Sequence, residues 1–160
     1  MKILIVSDTH RYHKYNDKMF EKEGSADLLI HLGDLEGGEY YIQQTAGCPV
    51  HMVACNNDMF TQLPMEKEFI LGNKKIFITH GHYYYVSAGY ERIWQEAYRR
   101  KADIVMFGHT HRPLIDIHED ITLINPGSIS YPRQEGKKPT YITMEIDENG
   151  EALFTLHTIE

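Results

Sequence analysis

Five short polar motifs set the terms for this chain: Asp8-Thr9-His10, Gly33-Asp34, Asn56-Asn57-Asp58, His80-Gly81-His82 and Gly108-His109-Thr110-His111. Each follows an apolar run that reads as a buried strand, so the fold must carry several strand ends into one crevice. A carboxylate or imidazole in that position is held on rigid scaffold yet faces outward. Two carboxylates, one amide and four imidazoles among these motifs exceed the needs of one tetrahedral ion. The pattern points to a two-metal centre of the kind that clamps the attacking and leaving oxygens of a phosphoryl transfer. Mixed oxygen and nitrogen donors suit Mn²⁺, Fe, Zn²⁺ or Ni²⁺ better than Ca²⁺ or Mg²⁺.

Between the motifs, the first half alternates strand and helix patterns: Lys2–Ser7, Asp27–Leu32 and Val50–Ala54 as strands, Tyr15–Lys22 and Glu39–Ala46 as helices. That alternation implies βαβ units and parallel pairing. Glu66–Leu71 and Lys74–Thr79, split by Gly72-Asn73, read as a hairpin with a two-residue turn. Ser87 is the expected N-cap of a helix over Ala88–Lys101, whose Ile93, Trp94, Ala97 and Tyr98 form an apolar face. Strands are expected at Asp103–Phe107, Leu114–His118, Ile121–Ile124, Thr140–Ile146 and Ala152–Thr158, the last two joined by a turn over 147–150. The local pattern thus gives an α/β chain with a more antiparallel second half.

At 160 residues and 42% hydrophobic content, the chain is expected to form one domain, 1–160, with its own core. The opening apolar run stops at Ser7-Asp8, too short for a signal-peptide core or a membrane span, and a cytosolic setting is expected. An extended Val50–Ala54 would hold Cys48 and Cys55 roughly 20 Å apart, far beyond disulfide reach. A formal charge of −7 argues against a nucleic-acid coat, which needs a concentrated basic surface. It does not argue against a phosphate ester, because two divalent ions on Asp8 and Asp34 would leave their immediate surroundings positive.

The order Asp-x-His, Gly-Asp, Asn-x-Asp, His-Gly-His, Gly-His-x-His resembles the calcineurin-like metallophosphoesterases. The closing Asn125-Pro126-Gly127-Ser128 resembles their small single-domain phosphodiesterase branch. The resemblance implies a four-layer α/β/β/α sandwich with mixed sheets, and two divalent ions, manganese first among the expectations. One ion would sit on Asp8, His10, Asp34 and His111, the other on Asp34, Asn56, His80 and His109. It implies hydrolysis of a small phosphate ester, a diester first, by water that the metals activate. Asp34, Asn56, Asn57 and His82 form the expected catalytic set, with His82 a pocket residue rather than a ligand. Three positions depart from the family pattern: Cys55 stands in place of glycine, Arg11 stands where glycine is frequent in the small branch, and Asn57 stands where many members carry histidine and some of the small ones cysteine.

Other groups take plainer readings. His31 lies inside a strand and is expected to be a hydrogen-bonded core group, while His51, His118 and His157 lack a partner motif. His13 and Arg11 lie close to the first motif, each open between a substrate-facing and an ordinary loop role. Tyr12, Tyr83, Tyr84, Tyr85 and Tyr90 either border the metal edge or pack the loop against the following helix, and the tyrosine-rich loops offer a face for self-association. No Ser/His/Asp or Cys/His nucleophile is evident. The rival reading is a non-catalytic, metal-binding interaction module of the same fold, as in the retromer subunit, but the full set of proposed ligands favours the enzyme.

Overall fold

In a strand, successive side chains face opposite ways, and Ile3, Leu4, Ile5 and Val6 are all buried, so the first strand needs cover on both faces. The computed structural model, which describes every residue but Phe60, supplies that cover from two sheets and three α-helices. In chain order the first half comprises β1 (Lys2–Val6), α1 (Lys14–Glu23), β2 (Leu28–His31), α2 (Glu39–Thr45) and β3 (Val50–Met52). Then follow β4 (Glu66–Leu71), β5 (Lys74–Thr79), α3 (Glu91–Arg99), β6 (Ile104–Met106), β7 (Pro113–Ile117), β8 (Thr122–Pro126), β9 (Thr140–Ile146) and β10 (Ala152–Thr158).

One sheet runs β10-β9-β1-β2-β3, the other β4-β5-β6-β8-β7. Each has a parallel trio: β1, β2 and β3 in the first, where β3 forms the edge, and β5, β6 and β8 in the second. Antiparallel strands border the first trio on one side, through β9 and β10, and the second on both, through β4 and β7. Ile3, Ile5 and Ile30 of the first sheet meet Ile76, Met106 and Ile124 of the second in one apolar layer. On the outer face of the first sheet, Leu4, Val6 and Leu29 pack with Met19 of α1 and Ile42 of α2. On the outer face of the second, Phe77 and Val105 pack with Ile93 and Ala97 of α3. The layers are therefore α/β/β/α. The C-terminal ends of β1, β2, β5 and β6 all open on one edge, where the ligand-bearing motifs lie.

The Gly72-Asn73 hairpin pairs as expected, Leu71 opposite Lys74. The helix expected over Ala88–Lys101 is shorter, Glu91–Arg99, and follows Tyr90 rather than a Ser87 cap. Two local features set that start. Gly89 takes φ +150°, outside the helical region, and Val86 is drawn into the core cluster beneath α3. Residues His82–Tyr84 form a separate 3₁₀ turn. Among the described residues, no helix is long and apolar enough to cross a membrane.

Because Ile30 is fully buried between the sheets, Ile30→Ala should lower the unfolding free energy by about 2–5 kcal/mol in urea titration, with an unchanged m-value. Leu153→Ala, at a position 64% exposed, should stay within about 0.5 kcal/mol of the parent.

Candidate metal centre

The motifs do not continue their strands. Asp8, His10, Asp34, His109 and His111 all take left-handed backbone, with φ between 47° and 69°. Among non-glycine residues, Asp, Asn and His enter that region most readily. The extended path past Ser7 expected for Asp8 and His10 is thus replaced by a turn in which the Tyr12 N–H donates to the Thr9 carbonyl (2.9 Å). The reversal still brings both side chains to one point. The loops after β1 and β2 are tied together, Asp8 N–H donating to Gly33 O (3.0 Å) and His10 N–H to Asp34 O (2.9 Å). Two glycines let the loops of one sheet touch those of the other. A Cβ on Gly33 would stand 2.7 Å from His80 Nδ1, and one on Gly108 would overlap the Ser7 hydroxyl.

Asp8, His10, Asp34 and His111 place their ligand atoms within 4.8 Å of one another, and Asp34, Cys55 and His80 do the same. Asp34 belongs to both groups. Its Oδ2 lies 3.5 Å from His10 Nε2 and 3.5 Å from His80 Nε2, the placement a bridging carboxylate needs. Asp8 Oδ1 stands 3.2 Å from His111 Nε2 and 3.8 Å from His80 Nε2.

Three rings are aimed by acceptors behind them. Nδ1 of His80 donates to Leu32 O (2.6 Å), Nδ1 of His111 to Tyr131 O (2.6 Å), and Nδ1 of His10 to Glu36 Oε1 (2.8 Å). With Nδ1 carrying the proton, the Nε2 of each neutral ring presents a lone pair to the centre. There the lone pairs meet negative or like partners: His10 Nε2 and His111 Nε2 lie 3.4 Å apart, and His80 Nε2 and Asp8 Oδ1, both buried, have no hydrogen-bond partner. Buried lone pairs converging on two carboxylates call for a cation among them. Divalent metal ions fit that donor set.

A proton can stand in part for such a cation. Burial alone would lower the pKa of His80, but Asp8 and Asp34 beside it raise the ring to about 9. Asp34 shows the reciprocal effect: burial opposes its charge, yet His80 and the Cys55 thiol hold it well below the usual carboxylate range. His111 is also shifted upward, Asp8 outweighing its burial. His82 and His109 move the other way, through burial and then the positive His80 nearby.

Supporting residues hold the loops that carry the ligands. Asp58 accepts from Asp34 N–H (2.9 Å), Glu36 N–H (2.5 Å) and Cys55 N–H (3.0 Å), joining two of the loops. Asn125 donates to Gly108 O (3.0 Å) and Thr110 Oγ1 (3.0 Å), and the Ser128 hydroxyl donates to Asp8 O (2.9 Å). The Asn125-Pro126-Gly127-Ser128 segment therefore braces both the first and last motifs. His31 is a core group, as expected. Its Nε2 pairs with the Thr9 hydroxyl (3.1 Å), its Nδ1 accepts from Gly33 N–H (3.2 Å), and burial lowers its pKa to about 4.

The remaining expected site residues are more scattered. Asn57 Nδ2 donates to Asp34 Oδ1 (3.1 Å), whereas the Asn56 side chain is exposed and makes no hydrogen bond to the cluster among those described. His109 lies outside both ligand groups, its ring 5.3 Å from that of His80, and its N–H donates to Asp8 Oδ2 (3.2 Å). His82 is half-buried with both ring nitrogens unpaired, its ring tilted against that of Tyr83 at 4.1 Å. His13 stacks on Tyr41, and Arg11 bonds the Glu36 carbonyl. Tyr84 and Tyr90 pack against Phe77 and Phe107, while Tyr83 and Tyr85 are exposed.

Four contributors were not assigned site roles from the sequence: Cys55, Glu36, Asp58 and Tyr131. Of these, Asp58 lies within the Asn56-Asn57-Asp58 motif, which is the signal in the sequence that marks it. An open cavity of about 740 Å³ adjoins His10 and His111 and is lined further by Tyr131, Arg133 and Lys137. It is large enough for a small organic ester.

Comparison with known proteins agrees with this geometry. Residues 1–149 match the calcineurin-like phosphoesterase superfamily domain. The probable metallophosphoesterase YsnB of Bacillus subtilis is 30% identical over 92% of this chain and 86% of its own length. Phosphodiesterase YfcE of Escherichia coli K12 is 26% identical, covering 83% and 82%. The fold also matches Vps29 of Entamoeba histolytica, solved with zinc, at a TM-score of 0.79 and 22% identity over 99% of both chains. With its strand ends, paired ligand groups and matched residues in agreement, the chain belongs to the calcineurin-like phosphoesterase superfamily.

Proposed function

We propose that this chain is a dinuclear metal-dependent phosphodiesterase acting on a small phosphate ester in the cytoplasm. The observation that carries this reading is the convergence of unpaired, buried Nε2 and carboxylate atoms on two overlapping clusters that share Asp34. Asp8, His10, Asp34 and His111 would hold one ion; Asp34 and His80 would hold the other, with Asn56 and His109, which the motifs assign to it but which stand outside the ligand groups, reaching it only by a shift of their side chains. When bound, two such ions supply acidified water and neutralise charge developing on the phosphoryl oxygens, with manganese the first choice.

The chain's own residues supply position and surroundings. Glu36 and the carbonyls of Leu32 and Tyr131 keep three imidazoles in register, so the ligand atoms need little reorganisation. Asn57 holds Asp34 through its amide. Arg133 and Lys137 place positive charge on the cavity wall beside His10 and His111, where a phosphate ester would enter an otherwise acidic protein. His82, unpaired at both nitrogens, is the nearest spare imidazole to His80 and His109. The cytoplasmic setting agrees with Cys48 and Cys55 as free thiols.

A second reading, a metal-binding interaction module, draws on the fold match to zinc-bound Vps29. Turnover separates the two. Stripping metal with EDTA should abolish diester hydrolysis, and Mn²⁺ or Ni²⁺ should restore it. At a hundredfold excess over Kd, the added ion should raise stability by about 2.7 kcal/mol per site, read by thermal melting. Full activity in protein shown by mass spectrometry to be metal-free would eliminate the mechanism.

Asp34→Asn should lose nearly all turnover and much of its metal, because the substitution weakens the one carboxylate common to both clusters. Two tightly held ions at the parent rate would show that Asp34 has been misassigned.

Asn57 generates a third expectation. An amide can donate a hydrogen bond but cannot deliver a proton near neutrality, so esters with poor leaving groups should be hydrolysed weakly and nitrophenyl diesters favoured. Asn57→His should improve alkyl esters preferentially, by up to about 10²–10⁴-fold, and flatten the dependence of rate on leaving-group pKa. An equal effect across a graded series, at constant metal content, would reject a leaving-group role here.

A further inference from the structure

Cys55 occupies a place where the family resemblance leads one to expect glycine, and glycine has no side chain to offer the centre. Here the thiol is buried and turned inward. Its Sγ contacts Asp34 Oδ1, and it lies within 4.8 Å of ligand atoms of both Asp34 and His80. The loop is fixed in that attitude from two sides, Asp58 accepting from Cys55 N–H (3.0 Å) and Asn57 N–H donating to Sγ (3.1 Å). A second, independent feature points into the same space. Nε2 of His80, fully buried, has no partner, and its lone pair is aimed there by the Nδ1 bond to Leu32 O. The Asn56 side chain, expected to serve this ion, is exposed instead.

We propose that the Cys55 thiolate is a ligand of the second ion, alongside Asp34 and His80, giving that position a sulfur donor. The inference rests on the dinuclear reading above and narrows it to a mixed S/N/O set. Ligation takes the deprotonated thiol, so the Sγ proton leaves to solvent as the metal enters. The chemical consequence is selectivity. A thiolate favours Zn²⁺ or ferrous iron over the hard ions that carboxylate and water ligands prefer. The first ion, on Asp8, His10, Asp34 and His111, has no sulfur within its cluster and keeps the harder preference. The two positions would then differ in the metal they select.

Cobalt substitution tests this without reference to turnover. Metal-stripped protein is titrated with Co²⁺, bound cobalt is counted by mass spectrometry, and the near-ultraviolet region is scanned for sulfur-to-cobalt charge transfer. The parent and Cys48→Ser should bind cobalt and show the band; Cys55→Ser should bind cobalt with the band lost. Cys55→Ala serves as a second variant, with circular dichroism confirming its fold. Cobalt bound to the parent without a charge-transfer band, or a band that survives in both Cys55 variants, would overturn the sulfur ligand and leave the two-metal reading standing. Failure of the parent to bind cobalt at all would overturn both.

Discussion

Two buried carboxylates and three aimed imidazoles confront one another at the sandwich edge and call for positive charge between them, and the surrounding structure holds that confrontation in place. Left alone, such groups would turn toward water or toward each other's N–H bonds. They cannot, because each ring is fixed by an acceptor behind it: a backbone carbonyl for His80 and His111, the Glu36 carboxylate for His10. The pKa of His80, raised to about 9 by Asp8 and Asp34, expresses the same demand for positive charge in protonic form.

Holding ligands this way constrains the backbone more than the core. Five of the proposed ligands sit at positive φ, where most side chains are strained, and the loops that bear them approach closely enough that Gly33 and Gly108 leave no room for a Cβ. Asp58 and Asn125 then hold these turns with side-chain bonds that replace a continuing sheet ladder. Strain at the edge is tolerable because the layers beneath it are regular and fully apolar.

How much of this was legible in the sequence follows from the range of each interaction. The continuous apolar run along β1 and the Gly72-Asn73 turn are local signals, and they place the strand and the hairpin to within a residue or two. The start of α3 was not, because Gly89 and the burial of Val86 overrode the Ser87 cap that local pattern favoured. At the site, Asp8, His10, Asp34 and His111 converge as their motifs imply, although by turns rather than by the extended path that spacing suggested. Cys55 stayed hidden because a thiol after an apolar strand reads as a small core residue, and the neighbouring Asn56 matched the family motif. Glu36 and the Tyr131 carbonyl act only on rings brought to them by tertiary folding, and nothing in their own neighbourhood marks them.

The centre also joins what the chain builds separately. Asp8, His10 and Asp34 follow strands of one sheet, His80, His109 and His111 follow strands of the other, and the contacts between His10 and His111 and between Asp8 and His109 each span 101 residues. The ligand set is therefore complete only once the two sheets have docked in register. Ions held there would tie strand ends of one sheet to strand ends of the other, and would favour the docked arrangement over its opening.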